Sequence, residues 1–348
     1  MMPRRTVRLM SRRGLPGPLR PGIAFPHRHA HELAHLAPLI ARVQDVLVAP
    51  PETASVVVHA DTRPPVRGAW NVQVFHGLGD KGYTTNPLFL QRGRFVRART
   101  AANMAMRTVR LPAPFLRAPE RPGMRRSRYQ QVNAYGPRWA DLFEGFLKDA
   151  EVSRFGHVAL NETAGLESDP DGPVLWLPTW DNRKYLGGVN QSSLEPFADE
   201  VVRIARSVPV LVKLHPLTVT HDQSAKTRKR LAEAAGITIA PADADPYKLL
   251  QGARAVLTDT SSLGLEAFCS GLPVGLALNP GLHPEGLNAE LADRVPCHSP
   301  SQPTLMDWAQ APPPPADAGW ARDLLFAPAP HRNDEFAATL RSRMTGAT

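Results

Sequence analysis

The sequence predicts an α/β protein made of two doubly wound, Rossmann-like units in succession. Three observations carry this expectation. Short apolar, β-branched runs alternate with amphipathic helical patterns, as parallel strands joined by crossover helices require. The alternation occurs once before and once after a polar, turn-rich stretch, "NETAGLESDPDGP" at 161–173, which reads as a linker. The length of 348 residues and a hydrophobic content of 43% suffice for two ordinary cores.

Taken in order, the chain opens on a basic tail that lacks the apolar run of a signal peptide. "GIAFP" is a short apolar run, and the helical pattern after it places Leu33, Leu36, Ala37, Ile40 and Val43 on one face, with Pro38 as a kink point. "SVVVHA" and "WNVQVF" read as buried parallel strands, "RFVRART" as a weaker strand and "AANMAMRTVRL" as a helix. "YQQVNAYGPRWADLFEGFLKDAE" reads as strand, Gly-Pro turn and amphipathic helix. Beyond the linker, "PVLWLP", "PVLVKL", "ITIAP", "RAVLT" and "LPVGLAL" read as strands. The helices between them are "LEPFADEVVRIARSV", "SAKTRKRLAEAAG", "DPYKLLQGA" and "LGLEAFCSG". "NDEFAATLRSRM" reads as a capped C-terminal helix. The expected organisation is a flexible tail over 1–22, a first domain over 23–160 and a second, donor-binding domain over 161–310; a Pro-rich segment and helix over 311–348 return to the first domain.

The net charge of +9 points to an anionic partner and leaves nucleic acid, an anionic membrane surface and a phosphorylated small molecule open. Basic residues are spread along the chain and aromatic content is 7%, so no stacking platform with a basic groove stands out for specific nucleic-acid binding. The two cysteines, Cys269 and Cys297, lack a CxxC partner, which argues against a disulfide framework or zinc site and for a reducing, cytoplasmic setting. No stretch of about 20 apolar residues is present to span a bilayer. No metal and no cofactor is expected.

Ligands of open α/β sheets bind beyond the carboxyl ends of the strands, and five polar clusters fall there. They are "HGLGDK", "YGPR", "TWDNRK", "HPLT" and "TDTSS". In the last, Thr258, Asp259, Thr260, Ser261 and Ser262 offer hydroxyls and backbone N–H groups where a helix begins, which suits a phosphate; a plain helix cap by Asp259 or Ser261 is the simpler alternative. Glu266, one turn on, is either a ribose acceptor or a solvated helix residue. Lys213 and His215 flank Leu214, so both can face one way at a strand end, with His215 donating to a phosphate or to local backbone. Trp180 fits base stacking and inter-domain packing equally. His76 is either a general base, with Gly77 allowing close approach and Lys81 facing a phosphate, or a turn residue.

Together, "HGLGDK", "YGPRWAD", "LPTW", "VKLHP" and "LTDTSSLGLEAFCSGLPV" resemble, in order and spacing, the CDP-glycerol glycerophosphotransferases. These are the teichoic-acid primase and polymerase enzymes, with a GT-B fold, and the resemblance spans residues 70 to 280. The first motif keeps His76, Gly77 and Lys81 without the family's Thr-Pro; Tyr135 and Gly136 are transposed in the second, next to Arg138; Thr260 stands where the last motif has tyrosine. The resemblance implies two Rossmann-like domains facing across a cleft, with a nucleotide-activated donor on the second and a hydroxyl acceptor on the first. It implies His76 as base, His215 on the donor phosphates, and Ser261 and Ser262 on the pyrophosphate. "LEAFCSGLPV" is also similar to the segment of GT-B glycosyltransferases whose glutamate holds the donor ribose, which implies that role for Glu266 and keeps a sugar donor open.

The reading that follows is transfer of a glycerophosphoryl group from a CDP-activated donor to a hydroxyl in cell-envelope polymer synthesis, in the cytoplasm or peripherally at the inner membrane face. The alternatives are a nucleotide-sugar glycosyltransferase, an isomerase similar to UDP-N-acetylglucosamine 2-epimerase, and a non-catalytic polyanion-binding protein.

Overall fold

The computed structural model describes residues 19–27, 30–48, 50–60, 65–74, 127, 129–147, 149–163, 166–180, 191–220, 224–280, 282, 284, 286–300, 302 and 304–346. Two wholly parallel sheets organise them. In the first, β1 (Arg20–Ala24), β2 (Ala54–His59), β3 (Trp70–Gln73), β4 (Gln131–Asn133) and β5 (Glu151–Ser153) lie side by side in chain order. In the second, β6 (Val174–Leu177), β7 (Val210–Val212), β8 (Ile237–Ile239), β9 (Ala255–Thr258), β10 (Val274–Ala277) and β11 (Cys297–His298) take the order β11-β10-β9-β6-β7-β8. The chain builds outward from β6 to β8, then returns to the other side of β6 and builds outward again. That reversal makes the gap between β6 and β9 a topological switch point.

The helices are α1 (Ala30–Arg42), α2 (Pro137–Phe146), α3 (Ala198–Ile204), α4 (Pro216–Thr220), α5 (Ala225–Glu233), α6 (Pro246–Leu250), α7 (Ser262–Cys269), α8 (Leu287–Ala292), α9 (Thr304–Gln310), α10 (Ala318–Leu324) and α11 (Pro330–Thr345). Successive strand residues point to opposite faces, so a continuous apolar run is buried on both sides. Val174 and Trp176 of β6 enter one core with α3 and with Leu305 and Trp308 of α9. Leu175 and Leu177 enter the opposite core, with Tyr247 of α6, Leu265 and Phe268 of α7, and Leu287 and Leu291 of α8. This second core continues into Tyr135, Trp139 and Phe143 at the end of β4 and on α2, so the two sheets share one apolar junction. Phe336, Ala337 and Leu340 of α11 pack with Ile23, Leu36, Leu39, Val56 and Val58, returning the chain's end to the first sheet.

The strands expected from "SVVVHA", "WNVQVF", "YQQVN", "PVLWLP", "PVLVKL", "ITIAP", "RAVLT" and "LPVGLAL" are β2, β3, β4, β6, β7, β8, β9 and β10. The expected strand "RFVRART" and helix "AANMAMRTVRL" lie outside the described residues. Two local expectations are corrected. On α1, Leu33 and Ala37 are exposed, and the buried face is Glu32, His35, Leu36, Leu39 and Val43. The helix is rotated because its first turns meet polar partners at the junction, a contact that apolar spacing cannot register. At the C-terminus, Asn333 caps nothing: α11 begins at Pro330, and Asn333 is buried inside it, donating to Val158 O at 2.9 Å and Glu162 Oε1 at 2.6 Å. Asn161, in the stretch read as a linker, donates to Asn333 Oδ1 at 3.0 Å and is itself buried.

Candidate functional site

The switch point is built around one carboxylate. β9 runs into Asp259, Thr260 and Ser261 and then into α7 without a spacer. Gly264 allows so tight a turn, because a Cβ there would lie 2.6 Å from Thr258 Cγ2. Asp259 is almost fully buried and accepts from the backbone N–H groups of Thr179 at 2.9 Å, Ser193 at 2.8 Å and Thr260 at 2.7 Å, and from Ser193 Oγ at 3.0 Å. It therefore ties the loop after β6, the approach to α3 and the loop after β9 into one unit. Burial pushes its carboxyl up to about 6, against hydrogen bonds that favour the ionised form. Asp259 is a brace, and its oxygens are spent inside the protein rather than on a ligand.

The start of α7 differs from those of α6 and α10. Asp245 caps α6 through Tyr247 N at 2.9 Å, and Asp317 caps α10 through Trp320 N at 2.9 Å. Ser261 occupies the same place before α7, with φ −73° and ψ 138°, yet its side chain makes no capping bond. Ser261 and Ser262 are both partly exposed. The simple-cap alternative for Asp259 and Ser261 is thereby overturned, and the first-turn N–H groups of α7 have no side-chain cap. Such an end combines unsatisfied donors with the positive pole of the helix.

Beside it, the loop after β6 carries Trp180 and the loop after β7 carries His215, their rings 6.3 Å apart and tilted by 31°. The Nδ1 of His215 accepts the Leu217 N–H at 3.2 Å, so the neutral ring carries its proton on Nε2. Trp180, His215, Ser261 and Ser262 thus stand on adjacent loops at one end of the second sheet, with Thr260 between them, its hydroxyl 3.5 Å from Gln191 Oε1.

Four expected ligand contacts are placed elsewhere. Thr258 is fully buried and donates its hydroxyl to Leu177 O at 2.9 Å, sewing β9 to β6. Lys213 does not share His215's exposure: its Nζ donates to Leu214 O at 3.1 Å and Ala242 O at 3.0 Å, and burial lowers it below the usual lysine range, opposed by Asp243. Arg138 makes a bidentate pair with Glu290 on α8, both bonds 2.7 Å, and Glu290 also accepts from Trp320 Nε1 at 2.9 Å. It clamps α2 to the second half because Gly136, where a Cβ would lie 2.4 Å from the Leu324 backbone, starts α2 against the end of α10. Glu266 is fully buried, 3.5 Å from His157 Nε2, so it is neither solvated nor open to a ligand in this conformation. His76, Gly77 and Lys81 lie outside the described residues.

Sequence reasoning missed Thr179 and Ser193, the partners of Asp259, and the buried histidines His35 and His157. The paired serines of "NQSSLEP" directly before α3 were the available signal for Ser193; His35 and His157 had none beyond a histidine in an apolar setting. Among the described residues, no group of three or more His, Cys, Asp or Glu side chains is placed to hold a metal ion. Among the same residues, no helix is long and apolar enough to cross a membrane.

No family model matches the chain, and no curated protein matches it. Among solved structures, the wall teichoic acid polymerase TagF is similar with TM-score 0.53 at 12% identity, covering 94% of this chain and 90% of that one. A histidine-to-asparagine variant of TagF soaked with CDPG gives 0.54 at 11% identity over the same shares. The UDP-GlcNAc 2-epimerase of Neisseria meningitidis, bound to UDP-GlcNAc, gives 0.43 at 13% identity, covering 90% of this chain and 82% of that one. The fold is that of the GT-B class, with two parallel α/β sheets.

Proposed function

We propose that this GT-B-type chain is a transferase that holds a nucleotide-diphosphate donor on its second half and moves a glycerophosphoryl or related polyol-phosphate group from a CDP-activated donor to a hydroxyl acceptor. The observation that carries the reading is the uncapped start of α7 at the switch point, braced from beneath by Asp259. The likeness to the TagF fold and the order of the five sequence clusters support it.

In this reading the N–H groups and hydroxyls of Ser261 and Ser262 take the donor's pyrophosphate, His215 donates from Nε2 to the same phosphates, and Trp180 lies beside them to pack the base. The acceptor hydroxyl attacks the phosphorus of the polyol phosphate, the bond to CMP breaks, and CMP leaves with the bond's electron pair. His76 takes the hydroxyl proton, and Lys81 and Gly77 serve the same phosphate. Catalysis here is placement and charge neutralisation at the phosphates. Glu266 meets the donor ribose only if the junction opens. The acceptor belongs to a cell-envelope polymer, and the net charge of +9 suits work beside an anionic membrane.

A thermal-shift screen with CDP-glycerol, CDP-ribitol, UDP-sugars, CMP and UMP tests this. A ligand at 100 times its Kd adds about 2.7 kcal/mol to stability, and the cytidine compounds should give the largest rise in Tm. A larger shift with UDP-sugars makes the chain a glycosyltransferase or an epimerase-like enzyme; no shift with any nucleotide removes the reading.

A further inference from the structure

The peptide joining Thr260 to Ser261 leads into α7, and α8 reaches it from one side. Asn288, in the first turn of α8, is almost fully buried, and its Nδ2 donates to Thr260 O at 3.3 Å. A carbonyl oxygen can only accept, so the amide presents its nitrogen there and turns its oxygen the other way. That Oδ1 is buried and has no hydrogen-bond partner among the described residues. Desolvating an unpaired acceptor costs more than one long hydrogen bond returns, so Asn288 is a net cost to the fold. Packing alone would be better served by an apolar side chain of the same size.

The bond to Thr260 O has a directional consequence. A trans peptide is planar, and its C=O and N–H point opposite ways. Thr260 O faces α8, which follows β10, so the Ser261 N–H points away from α8. β10 lies on one side of β9 and β6 on the other, so that direction leads toward β6 and the switch point. Ser261 is partly exposed, and its N–H makes no hydrogen bond among the described residues. The preceding peptide is fixed as well, since the Thr260 N–H goes to Asp259 Oδ1 at 2.7 Å. Thr260 is thus held at its N–H by Asp259 and at its C=O by Asn288.

We propose that Asn288 is a positioning residue of the phosphate seat: by holding the Thr260 carbonyl it aims the Ser261 N–H into the crevice. This adds one fixed donor to the free first-turn N–H groups of α7, for a diphosphate oxygen. The proposal rests on the reading of the α7 start as the donor's phosphate site.

Asn288→Leu keeps the size of the side chain and removes both the donor and the orphaned oxygen. Its Tm should stay within about 2 °C of wild type, because the lost bond and the relieved Oδ1 offset each other. Affinity for inorganic pyrophosphate, measured by calorimetry, should fall about tenfold, the worth of one charge-assisted backbone donor. In amide NMR spectra, pyrophosphate should move the Ser261 and Ser262 signals of wild type and the Ser262 signal alone in the variant. A fall in affinity of less than about twofold, or a Ser261 signal that still moves, overturns the proposal. So does weaker binding accompanied by a Tm loss of about 5 °C or more, the mark of a packing role. Should the leucine variant not fold, Asn288→Ala, smaller and likewise without a donor, is read by the same Ser261 signal. Wild type that binds no pyrophosphate removes the phosphate-site reading and the proposal with it; wild type that binds while leucine changes nothing removes the proposal alone.

Discussion

The two sheets are made of the same parts and do different work. The first runs β1 to β5 in chain order, and the ends of its last two strands turn inward, burying Tyr135 and His157 at the junction. The second reverses at β6, and the ends of its strands carry partly exposed polar loops, with Trp180, His215, Ser261 and Ser262. The difference teaches that polar residues at a strand end do not by themselves make a site. Where the order reverses, adjacent loops part and leave a crevice, and even there Asp259 and Thr258 are absorbed inside the protein while their neighbours stay partly exposed.

The largest expected effect concerns the brace. Asp259→Ala leaves the N–H groups of Thr179, Ser193 and Thr260 without their buried acceptor, and at about 1–3 kcal/mol for each such loss it should destabilise by about 3 kcal/mol or more in urea unfolding. A cost below about 1 kcal/mol would remove Asp259 from the centre of the site. The same residue gives a pH signature. Its folded-state carboxyl is raised from 3.8 to about 6, so the folded protein holds that proton more tightly, and the stability this gives, complete below the unfolded value, is lost as pH rises from 3.8 to about 6. Denaturation midpoints across that window should show the fall in wild type and lack it in Asp259→Ala.

A smaller effect separates clamp from contact. Arg138 and Glu290 are each about one-third exposed, so Arg138→Ala should cost about 1 kcal/mol of stability while nucleotide affinity stays within about twofold. A tenfold loss of affinity at unchanged stability would return Arg138 to the donor site and blur the contrast between the sheets.

Much of the second half was legible in the sequence because its strands are continuous apolar runs, buried on both faces, with turn residues at each end. The switch-point loops were legible for the same reason, since a polar cluster directly after such a run has only the strand's end to occupy. What stayed hidden was the destination of each polar side chain. Lys213 and His215 alternate correctly along the chain, yet burial lets the lysine curl onto the Leu214 and Ala242 carbonyls while the histidine stays at the surface. Arg138 and Glu266 each find a partner over 100 residues away, Glu290 and His157, and no local pattern encodes such pairs. β11 has two residues between prolines, too short to show a period.

The central claim is that the uncapped start of α7 is the anion seat of the second half. Calorimetric titration of CDP into wild type and Ser261→Asp tests it directly. The aspartate supplies the missing cap, so it should stabilise α7 by about 0.5–1 kcal/mol while its charge and its occupation of the amides weaken CDP at least about tenfold. Equal affinity in the two proteins, or tighter binding to the variant, would contradict the account.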